Sequence, residues 1–202
     1  MVLRHAETER ARGAKTPSFI VGIGGSAGSL AVFQALLDVL PSNTGMAFVF
    51  VLHLLPTANS QLAQILSKRT KMPVMVASTG MLIRRNHAYV SPPNVDLLIE
   101  SYAFKVISPR TKRNVAVDTF LTSLADAMGE RAVGIILSGY DGDGTEGCKH
   151  IKAKGGITFA QDKSAAINGM PISAQNAGWI DFVLPPDKIA EQLQELASRS
   201  YK

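Results

Sequence analysis

The sequence predicts an α/β protein with a mostly parallel sheet and helices on both of its faces. Three observations carry this. Strand-like and helix-like segments alternate along nearly the whole chain, the pattern of linked βαβ units. The stretches Met46 to Leu52 and Val133 to Leu137 are continuously apolar, as strands covered on both faces are. The chain is 46% hydrophobic and only 18% charged over 202 residues, so it has the apolar content to build one core.

The elements follow in order. Residues 1–17 are polar (Arg4, Glu7, Glu9, Arg10, Arg12, Lys15) and close on Pro17; they read as a flexible tail or linker, with the folded domain spanning 18–202. Ser18 to Ile23 is a β-branched strand that runs into glycines. Ser29 to Leu40 has helical spacing in Leu30, Phe33, Leu36, Leu37 and Leu40, and stops at Pro41. Met46 to Leu52 is the second strand. Asn59 to Lys68 is a helix capped by Asn59 or Ser60, and Val74 to Ala77 is a short strand. Ala88–Val90, Leu97–Glu100 and Phe104–Ile107 read as a hairpin or meander, split by Ser91-Pro92-Pro93-Asn94 and by a turn near Ser101. Val117 to Met128 is a helix with Asp118 as its cap. Val133 to Leu137 is a strand, Gly144 to Lys154 a helix ended by Gly155-Gly156, and Ile157 to Ala160 and Phe182-Val183 are strands. Pro186 to Leu196 is a last amphipathic helix.

Composition excludes several classes. One cysteine, Cys148, cannot form an internal disulfide framework or a multi-cysteine metal site, which fits a reducing compartment. No apolar run nears the ~20 residues that span a bilayer, and the first residues lack a signal-peptide core, so a cytoplasmic location without membrane insertion is expected. The net charge is +5, with the clearest basic cluster at Arg110, Lys112 and Arg113. Aromatics are 6% and do not interleave with those charges, so a nucleic-acid surface is not expected.

The chemistry concentrates in two loops. Gly22-Ile23-Gly24-Gly25-Ser26-Ala27-Gly28 admits three readings. The glycines could serve only a tight turn and close packing. Gly22-x-Gly24-x-x-Ala27 loosely fits a dinucleotide fingerprint, but no carboxylate lies between Asp38 and Asp96 to take the ribose hydroxyls. Gly24-x-Ser26-x-Gly28 fits a nucleophile turn between strand and helix, with backbone N–H groups beside the hydroxyl to hold an oxyanion. A serine nucleophile needs a base and an orienting carboxylate. Of four histidines, His5 is in the tail, His87 opens a strand, and His150 lies on a helix surface. His53 ends the second strand, on the rim that Ser26 shares. A core histidine is the competing reading. The carboxylates lie in Ser138-Gly139-Tyr140-Asp141-Gly142-Asp143-Gly144, after the strand 133–137. Asp141-x-Asp143-Gly144 has the wrong register for a calcium loop. Capping of its own helix is the competing reading for Asp143. The order Ser, His, Asp along the chain is not that of α/β-hydrolases.

Taken together, Val21 to Gly28, His53, Ala88-Tyr89-Val90-Ser91-Pro92, Gly134 to Gly139 with Asp143-Gly144, Ala160-Gln161-Asp162 and Gly169-Met170-Pro171 resemble the catalytic domain of CheB-type chemotaxis receptor protein-glutamate methylesterases. The resemblance runs from about Phe19 to Leu196. It implies a three-layer αβα sandwich and a triad of Ser26 as nucleophile, His53 as general base and acid, and Asp143 as orienting carboxylate. Ala27, Gly28 and Tyr140 would supply oxyanion donors, with Met170 in a loop near the substrate. The implied reaction is hydrolysis of glutamate γ-methyl esters on chemoreceptor helices, with deamidation of selected glutamines, and no metal or organic cofactor. The implied partner is a methylated chemoreceptor or related signalling protein. A catalytically weak partner-binding module of the same fold is the alternative. Two features depart from the family: the segment Arg113 to Asp118, and Asp141-Gly142 before the triad acid. The usual N-terminal receiver domain is not seen in the tail either, so the chain is expected to be a receiver-less member or part of a larger fusion, for instance with a methyltransferase module.

Overall fold

The computed structural model describes residues 16–52 and 61–199. His53, His5, the proposed caps Asn59 and Ser60, and all of the tail except its last two residues lie outside the described residues.

The first strand, β1 (Ile20–Gly25), shows how the sheet is covered on both faces. Its residues alternate with the period-2 pleat. Val21 and Ile23 enter one apolar cluster, with helices α1 (Ser29–Val39), α2 (Leu62–Ser67) and α6 (Pro186–Arg199). Ile20 enters the other, with helices α3 (Ala116–Met128), α4 (Thr145–Ala153) and α5 (Gly169–Asn176). On that second face the strand carries no side chain at Gly22 and Gly24. A Cβ at Gly24 would lie 2.3 Å from a Val117 methyl, and one at Gly22 would lie 2.6 Å from Leu121. These glycines let α3 lie directly on the strand.

The remaining strands are β2 (Ala47–Leu52), β3 (Val74–Val76), β4 (His87–Val90), β7 (Ala132–Ile136), β8 (Ile157–Gln161) and β9 (Phe182–Leu184). They form one seven-stranded sheet in the order β3-β4-β2-β1-β7-β8-β9. Every pairing in it is parallel. The expected α/β class, the mostly parallel sheet and the separate antiparallel hairpin are all present. The hairpin is β5 (Asp96–Glu100) with β6 (Ala103–Ile107), turned by Ser101 and Tyr102, both at positive φ. Two positive φ values suit the right-handed twist of a two-residue turn.

Three sequence expectations are corrected. β4 does not belong to the meander. It pairs in parallel with β2 and β3, because Ala88 and Val90 face one cluster while Tyr89 faces the other, as an inner strand requires. Gly169-Met170-Pro171 is not a loop but the first turn of α5, where proline is tolerated because the first N–H groups have no intrahelical partner. Asp118 does not cap α3. Val115 holds the cap position, and Asp118 sits inside the first turn.

Among the described residues, no helix is long and apolar enough to cross a membrane.

Candidate active site

Chain direction reverses its sheet order between β1 and β7: β2 lies on one side of β1 and β7 on the other. In open parallel sheets, the crevice beyond the carboxyl ends at such a point is where ligands bind. The turn after β1 and the loop after β7 meet there. Ser26 donates its backbone N–H to the Ser138 carbonyl at 2.9 Å. A Cβ on Gly139 would lie 2.9 Å from the Ser26 Cβ and 2.2 Å from the Met170 thioether sulfur, so only glycine lets the loop pass under the serine.

The turn itself is held open. Gly28 takes a left-handed φ of 78°, and a Cβ there would also lie 2.7 Å from the Ser138 hydroxyl. Both conformation and space call for glycine. Helix α1 starts directly after it with no side-chain cap and no acid in its first turn, so its dipole faces the Ser26 turn uncompensated. Ser29 turns inward and donates its hydroxyl to the Ser26 carbonyl at 2.7 Å. Ser26 and Ala27 are half-buried and Gly28 exposed. The N–H groups of Ala27, Gly28 and Tyr140 make no hydrogen bond among the described residues.

Ser138 ties the loops together, a role the sequence reading missed. It is fully buried. Its hydroxyl donates to the Ala27 carbonyl at 2.8 Å and accepts the Ile167 N–H at 3.0 Å. Its own N–H donates to the Gln161 side-chain oxygen at 3.1 Å. One hydroxyl thus joins the loops after β1, β7 and β8. The available signal was a serine closing an apolar strand, where a buried hydroxyl must find partners.

The carboxylates form the other half of the site. Asp143 is 2% exposed, and it does not cap the helix that follows it, since Gly144 holds that position in a left-handed conformation. Its Oδ2 accepts the Val117 N–H at 2.9 Å and its Oδ1 the Asp118 N–H at 2.8 Å. It therefore caps α3 from a different part of the chain. Asp118 in turn accepts the Gly147 N–H, in the first turn of α4, at 2.8 Å. Burial raises the Asp118 carboxyl to about 6; the Gly147 N–H works against that rise, and the neighbouring Asp143 and Glu146 charges add to it. The Val117 side chain lies against Gly24 and Gly144, so one residue links the strand entering the Ser26 turn to the residue after Asp143.

The other candidates fall as follows. Tyr140 is 62% exposed on the rim, and Asp141 beside it has a φ of 58°. Met170 is fully buried under Gly139, a supporting place beneath the turn. Lys112 and Arg113 are exposed on the loop that enters α3, which Asp96 anchors by accepting the Thr111 N–H and hydroxyl at 2.9 and 2.7 Å. His87 and His150 each keep Nδ1 on a nearby backbone carbonyl, Arg85 and Glu146 respectively. Leu30 and Ile172 are exposed large apolar residues, one each in α1 and α5. Among the described residues, no three of His, Cys, Asp and Glu gather in a way that would hold a metal ion.

Comparison with known proteins agrees with this fold. The crystal structure of the Thermotoga maritima CheB methylesterase catalytic domain superposes with a TM-score of 0.81 at 30% identity, covering 88% of this chain and 98% of that one. A Methanospirillum hungatei protein named protein-glutamate methylesterase/protein-glutamine glutaminase 2 is 33% identical over 186 residues, which is 89% of this chain and 53% of that protein. A Leptospira interrogans relative is 32% identical over 173 residues, 84% of this chain and 90% of its own length. Residues 21–193 match the family described as CheB methylesterase, and the chain belongs to that family.

Proposed function

We propose that this chain is a serine hydrolase that removes methyl groups from glutamate γ-methyl esters, and amide nitrogen from selected glutamines, on a chemoreceptor or related signalling protein. The observation that carries the reading is the meeting of the Ser26 turn and the Asp143 loop at the carboxyl ends of adjacent strands. Ser26 is the nucleophile, His53 its base and Asp143 the orienting carboxylate. Register supports the base: Leu52, the residue before His53 in the sequence, pairs with Gly25, the residue before Ser26.

His53 takes the hydroxyl proton as Ser26 Oγ attacks the ester carbonyl. The N–H groups of Ala27, Gly28 and Tyr140 hold the oxygen on which negative charge develops. The C–O bond breaks, and methanol leaves with the proton from the imidazolium. Water then attacks the acyl-enzyme with His53 again as base; the bond to Ser26 Oγ breaks, the imidazolium returns its proton to that oxygen, and the side chain is released as a carboxylate whose acid proton passes to solvent. With a glutamine the leaving group is ammonia. Asp143 keeps the imidazole in the tautomer that can accept from Ser26. Tyr140, two residues from the loop's Ser138, is exposed, which leaves that loop open to a macromolecular substrate.

The test is methanol release from a methylated receptor fragment by the wild type and by Ser26→Ala. The reading expects release by the first and none above background by the second. Equal release would remove Ser26 as nucleophile. No release by either would favour a partner-binding module.

A further inference from the structure

Two carboxylates meet behind the serine turn, and the proposed triad uses only one of them. Each stands at the start of one helix and accepts from the start of the other. Asp143, two residues before α4, accepts the first N–H groups of α3; Asp118, in the first turn of α3, accepts the Gly147 N–H in the first turn of α4. The two helices approach closely there, since a Cβ on Gly147 would lie 2.5 Å from the Leu121 Cβ and 3.3 Å from the Asp118 Cα. The result is a closed ring. Asp118 donates to Asp143 through its backbone and accepts from Gly147 through its side chain.

We propose that Asp118 is a positioning residue for the hydrolysis, holding the Asp143 carboxylate in place through this ring and adding a second negative charge beside that carboxylate. The proposal rests on the triad reading above. A neutral acceptor could satisfy Gly147 equally well, without setting like charges side by side. The charges that act most on Asp118 are Asp143 and Glu146, both of its own sign, and burial together with the Asp118 and Asp181 charges holds the Cys148 thiol on α4 protonated. A negative charge kept among acids has a use where a positive charge must form, and the imidazolium of each turnover is such a charge.

Asparagine and alanine at this position separate the two contributions. Asp118→Asn keeps an oxygen for Gly147 and removes the charge. Asp118→Ala removes both. The assay is methanol release from a methylated receptor fragment by the purified full chain between pH 5 and 9, with circular dichroism to check the fold. Asp118→Asn should keep KM, lower kcat by about 3- to 10-fold, and move the acid limb of kcat/KM to lower pH by about half a unit, since removing a nearby negative charge lowers an imidazole pKa. Asp118→Ala should lose up to ~100-fold in kcat, the scale of a 1 Å misplacement. If the alanine variant does not fold, the asparagine variant alone decides. An Asp118→Asn enzyme with the wild-type kcat and an unmoved acid limb overturns the assignment, while Ser26→Ala stays inactive and the triad stands. A Ser26→Ala enzyme that remains active sinks the triad and this proposal together.

Discussion

Replacing Asp143 by asparagine should cost stability as well as turnover, and the stability loss can be worked from two bonds. The carboxylate accepts the Val117 and Asp118 N–H groups at 2.9 and 2.8 Å from a site only 2% exposed. Hydrogen bonds to a charged group contribute about 1.5–3 kcal/mol each, and neutral ones about 1. Asparagine has one carbonyl oxygen, so it keeps one bond at the neutral strength. The second N–H then faces an amide NH2 group, with little access for water. The net cost is about 2–5 kcal/mol. For a domain of this size each kcal/mol lowers Tm by about 2–4 °C, so Tm should fall by roughly 4–20 °C. Thermal unfolding followed by circular dichroism reads this directly. Turnover should fall by up to ~10,000-fold, because the amide stabilises the wrong imidazole tautomer. A Tm within about 2 °C of the wild type would refute the cap, whatever happened to activity.

Two further predictions follow from the same contacts. Gly139→Ala puts a Cβ 2.9 Å from the Ser26 Cβ, so it should displace the serine and cost about 100-fold in methanol release while the far-ultraviolet spectrum stays native; unchanged release would show that the loop does not support Ser26. The Asp118 carboxyl titrates at about 6 in the fold against 3.8 as its ordinary value, so the unfolded chain ionises first. This group's contribution is therefore most favourable below about pH 4 and is lost as pH rises to about 6. Comparing guanidinium midpoints at pH 4 and pH 7, Asp118→Asn should gain on the wild type at the higher pH. An equal difference at both would remove the raised carboxyl.

Much of this architecture was legible because local patterns dictated it. The continuous apolar runs of β2 and β7 reflect cover on both faces, and both strands lie within one residue of where the sequence puts them. Gly24-x-Ser26-x-Gly28 marked the turn, because a left-handed residue and close packing both demand glycine. The rest depended on contacts between distant segments. Local position suggested that Asp118 caps its own helix and that Asp143 caps the one after it. The chain exchanges them, because α3 and α4 pack side by side and each acid reaches the other's free N–H groups. Helix α5 was hidden by Gly169 and Pro171, which suggest a loop. Its signal was the i, i+4 pair Met170 and Ala174, both buried against the second face. β4 was misread because the hairpin follows it so closely along the chain.

The central claim is that Ser26 is a nucleophile activated by an imidazole. Mass spectrometry after treatment with an active-site-directed phosphonate tests it most directly. The account predicts a single adduct on Ser26, formed rapidly in the wild type and at least tenfold more slowly in His53→Ala. Labelling of other serines at comparable rates, or an adduct on Ser26 that forms equally fast without His53, would contradict it.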